Sequence, residues 1–81
     1  MQDERYRLRI AAQSRYDKAD LQVKTLENDL ARVEKNYYDE NDLNYRDTVL
    51  QERFAQTKRQ LEDARRELAD ARDALTALNK S

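Results

Sequence analysis

The residues of this chain best able to do chemistry are its carboxylates, and side-chain oxygen donors are densest at Asp39, Asn41, Asp42 and Asp47. Oxygen donors at such close spacing are what a Ca²⁺ loop uses. The detailed spacing fails that template. Counted from Asp39, the fifth position is Leu43, the sixth is Asn44 where a sharp turn needs Gly, and the twelfth is Leu50 where a bidentate Glu is needed. The cluster is therefore expected to be a solvated loop that caps a helix, and no metal ligand set is assigned. The carboxylate pairs Glu62/Asp63 and Glu34/Glu40 fall at outward positions of the pattern. A general acid or base needs a pocket and a reacting partner, and nothing near these pairs supplies either.

Three tyrosines, Tyr37, Tyr38 and Tyr45, bracket the acidic stretch. Tyr37 and Tyr45 are expected to close one end of the fold by packing on each other. The alternative is an exposed aromatic tip that touches a partner, a use to which Tyr is well suited. Arg5, Arg7 and Arg9 alternate, and on a helix steps of two scatter around the circumference and make no single basic face. Asn79-Lys80-Ser81 matches a glycosylation sequon, but three residues are too few to carry an assignment.

Gly, Pro, Cys, His and Trp are all absent from the 81 residues. Without Gly there is no phosphate-cradling loop, dinucleotide fingerprint or nucleophile elbow. Without Cys or His there is no disulfide, no zinc site and no imidazole base. An enzyme is not expected, nor is a cofactor. Sixteen basic side chains against seventeen acidic ones leave a net charge of −1, which gives no electrostatic preference for nucleic acid. No apolar run approaches the roughly 18 residues that span a bilayer, and Met1–Arg5 lacks the apolar region of a signal peptide.

Of the residues, 41% are charged, and strong helix formers dominate. Such a composition is either disordered or a long helix, and periodicity decides between them. One seam runs through Tyr16, Ala19, Val23, Leu26, Leu30, Val33 and Tyr37 in steps of three and four. Another runs through Leu43, Leu50, Phe54, Leu61, Ala64, Leu68, Ala71, Leu75 and Leu78, with Asp47 and Thr57 in the remaining slots. Both are heptad seams. Asp20–Lys24, Asp42–Arg46 and Glu62–Arg66 have the acid-first i,i+4 spacing that supports a helix. Leu8 and Ile10 do not extend the first seam, so the net-positive segment 1–15 is expected to fray or to lean on a partner.

The seams differ in phase, and the break falls on residues 37–45. In one reading it is a stammer in a continuous helix about 120 Å long at roughly 1.5 Å per residue, pairing as a parallel dimer. In the other, residues 39–43 turn the chain and two helices, about 4–38 and 43–79, fold back as an antiparallel hairpin. The hairpin is preferred. Asp-Glu-Asn-Asp is the one run of four polar residues dense in Asp and Asn, which bond their own backbone in turns and tolerate left-handed dihedrals. Asp42 or Asn44 can N-cap the second helix, and Asn44 with Asp47 resembles a capping box. The objection is the missing Gly at the end of the first helix, though Asn can substitute there.

Two residue patterns resemble known groups. Leu26-Glu27-x-Asp29-Leu30, Tyr37-Tyr38-Asp39-Glu40-Asn41-Asp42 and Leu61-Glu62-x-x-Arg65-Arg66-Glu67-Leu68, with Tyr6-Arg7 at the start, resemble bacterial envelope-associated helical-hairpin proteins of uncharacterised role. That resemblance covers most of the chain and implies a helical hairpin in the cell envelope, with no functional residues to carry over. Asn41 stands where Pro is usual, and a Trp near the start is missing. Lys18-Ala19-x-Leu21-Gln22-Val23 is similar to the first coil of intermediate-filament and lamin rods, which implies a continuous parallel dimer. The polar break at 39–44 departs from that pattern.

The expectation is thus one all-α module over residues 1–81, an antiparallel two-helix coiled-coil hairpin. A lone hairpin buries one face of each helix, too little to offset the ordering of the chain, so a homo-oligomer (dimer or tetramer) or docking on a larger protein is expected. The residues assigned to the core or oligomer seam are Val23, Leu26, Leu30, Val33, Leu50, Phe54, Leu61, Leu68 and Leu75. Tyr37, Tyr38 and Tyr45 are the candidate tip contacts. The functional expectation is a structural or protein–protein interaction module. A filament rod segment and a peripheral binder of metal, lipid or nucleic acid through charged ends are the alternatives.

Overall fold

The computed structural model describes residues 2–80. Helix α1 spans Gln2–Asp39, and residues 40–42 turn the chain. The return arm opens with one α turn, α2 (Leu43–Tyr45), passes through a π-helical turn (Arg46–Leu50), and continues as α3 (Gln51–Lys80). The molecule is 62 Å long and about as wide as two helices, 14 × 13 Å. A 38-residue helix is about 57 Å long, so the chain is folded in half and is not a 120 Å rod. It is an all-α hairpin, as the paired seams require.

Asp42 makes the turn. Its backbone is extended, with φ −82° and ψ 100°, and its carboxylate accepts from the N–H groups of Asn44 (3.1 Å) and Tyr45 (3.2 Å). Its own N–H donates to the Glu40 carboxylate at 3.0 Å. Two of the orphan donors at the start of α2 are thereby satisfied. Asn44 is inside the helix and is not the cap, and Asp47 pairs with Arg46 (2.9 Å) instead of closing a capping box. Among the described residues none has positive φ, so the left-handed Asn expected at the end of α1 is not used. Asp42→Ala is expected to cost about 1 kcal/mol of stability and Asp42→Ser much less, as read by urea denaturation followed by circular dichroism.

The phase break has a second cause besides the turn. At the π turn the Gln51 N–H donates to the Arg46 carbonyl, five residues back. Within it the Thr48 hydroxyl donates to the Asn44 carbonyl at 2.6 Å. A side-chain hydroxyl on the i−4 carbonyl competes with the α-helical ladder there. One wide turn rotates everything upstream of Leu50 off the seam. Leu43, expected to begin the second seam, is 59% exposed, and Asp47 is exposed as well. The seam of the return arm begins at Leu50.

From there the two seams interlock. Val23 and Leu26 of α1 form one cluster with Leu61 and Ala64 of α3, and Leu30 and Leu68 pack against it. The first seam also reaches further than its sequence suggests. Ala12 is buried, one heptad before Ala19, and α1 is helical from Gln2 rather than frayed. Thr57 is buried in the seam with its hydroxyl donating to the Arg53 carbonyl at 2.9 Å, so no polar atom is stranded there.

The flanking charges favour this antiparallel register. In an antiparallel pair, the positions after the seam on each helix line one side and those before it line the other. Arg15 meets Glu67 at 2.6 Å on one side, and Glu27 meets Arg65 at 3.8 Å on the other. One heptad either way from Glu27–Arg65, Asp20 lies level with Arg72 and Glu34 with Lys58. One step of two heptads from Arg15–Glu67, Asp29 lies level with Arg53. In a parallel two-chain rod the same positions would pair Arg15 with Asp20 and Glu67 with Arg72 but set Asp29 beside Glu34 and Arg53 beside Lys58, so attraction and repulsion would offset each other. Exposed ion pairs add little stability singly, but a register free of like-charge pairs at these positions is favoured over one that contains them.

Candidate interaction surface

The hairpin has two unlike sides, and the difference comes from side-chain size. In each seam one column leans to each side. The first column is Ala12, Ala19, Leu26 and Val33 on α1, with Leu50, Thr57, Ala64 and Ala71 on the return arm. It is mostly small, and all of it but Val33 is buried. The second is Tyr16, Val23, Leu30 and Tyr37 on α1, with Phe54, Leu61, Leu68 and Leu75 on α3. It is large, and the alanines opposite draw the helices too close together to cover it. Val23 and Leu61 are buried, while Tyr16, Leu30, Tyr37, Phe54, Leu68 and Leu75 are only half covered.

Of the residues assigned to the seam from sequence, Val23, Leu26, Leu50 and Leu61 are the buried core within one chain. Leu30, Val33, Phe54, Leu68 and Leu75 are half-buried beside it. The alanines at 12, 64 and 71 carry more of the close contact than a list of large apolar residues reveals. Their signal is the small residue repeating every seven.

The tip differs in detail from its expected arrangement. Tyr37 does not close the end against Tyr45. Its ring meets Phe54 edge-on at 5.8 Å and Tyr38 at 5.2 Å, and the Arg46 guanidinium lies 5.5 Å from its ring centre. Tyr38 is 69% exposed and Tyr45 40%. A hollow of about 250 Å³ opens beside these rings, lined by Tyr37, Tyr38, Phe54, Ala55, Gln51 and Lys58. Lys58 lies 5.1 Å from the centre of the Phe54 ring.

Two members of the acidic cluster and its neighbour Glu40 are used in structure. Asp42 caps, Glu40 accepts from the Asp42 N–H, and Asp47 pairs with Arg46. Among the described residues no group of acidic side chains is placed to hold a metal ion. The expected Asp20–Lys24 pair is present at 2.8 Å. Arg46 chooses Asp47 over Asp42, and Arg66 pairs with Asp63 rather than Glu62. Among the described residues no helix is long and apolar enough to cross a membrane.

Arg15 and Glu67 form the best-made bridge between the arms, with the Arg15 Nε and one Nη donating to the two carboxylate oxygens at 3.2 and 2.6 Å. The hydrogen bond to Glu67 raises the Arg15 pKa, and the same bond lowers that of Glu67. Because the folded carboxyl titrates below its unfolded value, the bridge contributes its stability above the ordinary carboxylate range. That contribution is lost as pH falls through the lowered value. Thermal melts from pH 6 to pH 2 are expected to show wild type losing more than Glu67→Gln, with the gap narrowing in high salt.

Comparison with protein-family models, with curated proteins and with solved structures finds no match for the chain.

Proposed function

We propose that the chain is a non-enzymatic structural or protein–protein interaction module that self-associates. The observation carrying this reading is the second column. Its large apolar residues run the length of one side, and all but Val23 and Leu61 are only half covered although the core cluster is already filled within the chain. Contiguous apolar surface of this kind on a small, highly charged protein marks an interaction site. Of the carboxylates that could have done chemistry, Asp42 and Glu40 are engaged at the cap and Asp47 and Asp63 in exposed ion pairs. The cap at Asp42 also argues against the filament-rod alternative, since straightening the chain through residues 40–42 discards it. Sedimentation equilibrium over a wide concentration range tests the reading: an average mass rising above the 9.7 kDa of one chain is expected. A single-chain mass throughout would remove self-association.

A further inference from the structure

We propose that the half-covered side of the hairpin is covered by the same side of a second copy, the two hairpins running parallel with their turns at one end, as a four-helix bundle. This rests on the self-association reading and adds the surface and the orientation.

Charge selects the orientation. Directly beside the apolar column on this side stand Asp20, Glu27 and Glu34 on α1 and Lys58, Arg65 and Arg72 on α3; Lys24, which holds Asp20, and Glu62 lie one position further out. Two such faces can meet about a two-fold axis in either of two ways. With the axis across the hairpin, α1 lies on α1 of the second copy and acid meets acid. With the axis along the hairpin, α1 lies on α3 of the second copy at the same height, and every acid meets a base. Glu27 and Arg65 are level within one chain at 3.8 Å and half exposed, so each has capacity for a second partner. The opposite side also sets Asp29 level with Arg53, but Asp29 is held by Arg32 and the apolar column there is already buried but for Val33. That side is lined by buried small residues and by Gln22, Asn36 and Gln60, and its one strong ion pair, Arg15–Glu67, is satisfied within the chain.

Shape agrees with charge. Ala55 and Ala69 sit just outside Phe54 and Leu68 and leave the face low enough for a helix to approach. In the parallel arrangement the exposed Tyr38 of one copy lies over the hollow beside Phe54 of the other, at the shared tip.

The chain has no cysteine, so a single Cys can carry a spin label. The expected results are a two-chain mass by sedimentation and, for Tyr38→Cys, an interchain label distance below about 25 Å, given helix axes 8–10 Å apart in a bundle. A two-chain mass with a distance near the 62 Å length of the hairpin leaves self-association standing and overturns this orientation. Any other stoichiometry overturns the two-copy bundle, and a single-chain mass overturns the underlying reading too. Ala69→Glu lies on the face but outside the seam, and it should raise the dissociation constant at least tenfold with helicity unchanged. Ser14→Glu, on the outer surface of α1, should leave it unaltered. Equal affinities for these two variants would also overturn the proposal.

Discussion

Replacing Leu61 with Ala is expected to cost about 3 kcal/mol of stability, the largest loss from any single truncation in the chain. Leu61 is 3% exposed and sits in the cluster with Val23, Leu26 and Ala64. Truncation removes its transfer free energy and leaves a cavity that two straight helices cannot collapse to fill. A two-helix protein has little stability in reserve, so a loss of this size unfolds a large fraction of the chain at room temperature. Leu43→Ala is the matched control. Leu43 belongs to the same apparent seam in the sequence but is 59% exposed, and its truncation should stay within about 0.5 kcal/mol. Urea titrations of both variants at one protein concentration provide the comparison. Equal losses would mean that the return arm keeps its α-helical phase back to Leu43, without the π turn.

That pair of variants marks the boundary between what is legible in the sequence and what is not. The two seams, their lengths and the polar break are all periodic features, and periodicity survives translation into structure because a helix repeats. The antiparallel pairing is also written there, since Asp20, Glu27 and Glu34 are level with Arg72, Arg65 and Lys58 only when the chain folds back. The phase shift is different. A seam that slips by three residues between Val33 and Leu50 looks the same whether a turn, a stammer or a π turn contributes to it. Here a three-residue turn and the wide turn at Arg46–Leu50 share the slip. The Thr48 hydroxyl on the Asn44 carbonyl gives no mark of the wide turn in the sequence, since Thr57 makes the same i,i+4 bond to Arg53 inside regular α3.

The tip departs from its sequence pattern for a related reason. Tyr37 and Tyr45 are symmetric about the acidic stretch, which suggests that they meet. The π turn rotates Tyr45 away, and Tyr37 finds Phe54 across the seam instead. The half-covered side of the hairpin was legible only as a list of large residues. Which of them stay half exposed depends on how close the helices come, and that is set by the alanines opposite.

The same closeness sets the sign of a second large effect. Ala71→Leu is expected to destabilise the hairpin by about 1–3 kcal/mol. If the seam were a generic coiled coil, a Leu at this position would add roughly 1.5–3 kcal/mol of buried apolar surface. Ala71 has 0% of its surface exposed, so there is no space for the added atoms. The register that groups Val23 with Ala64 sets Ala71 against Tyr16 one heptad away. A larger residue at 71 must push the arms apart there and strain the Arg15–Glu67 bridge beside it, at 2.6 Å. Relief should follow from cutting the facing side chain, so Tyr16→Ala combined with Ala71→Leu is expected to recover part of the loss, a coupling that a double-mutant cycle measures. A stabilised Ala71→Leu would mean that the arms are loosely packed. The half-covered column on the other side would then owe its exposure to something other than the close approach of the alanines.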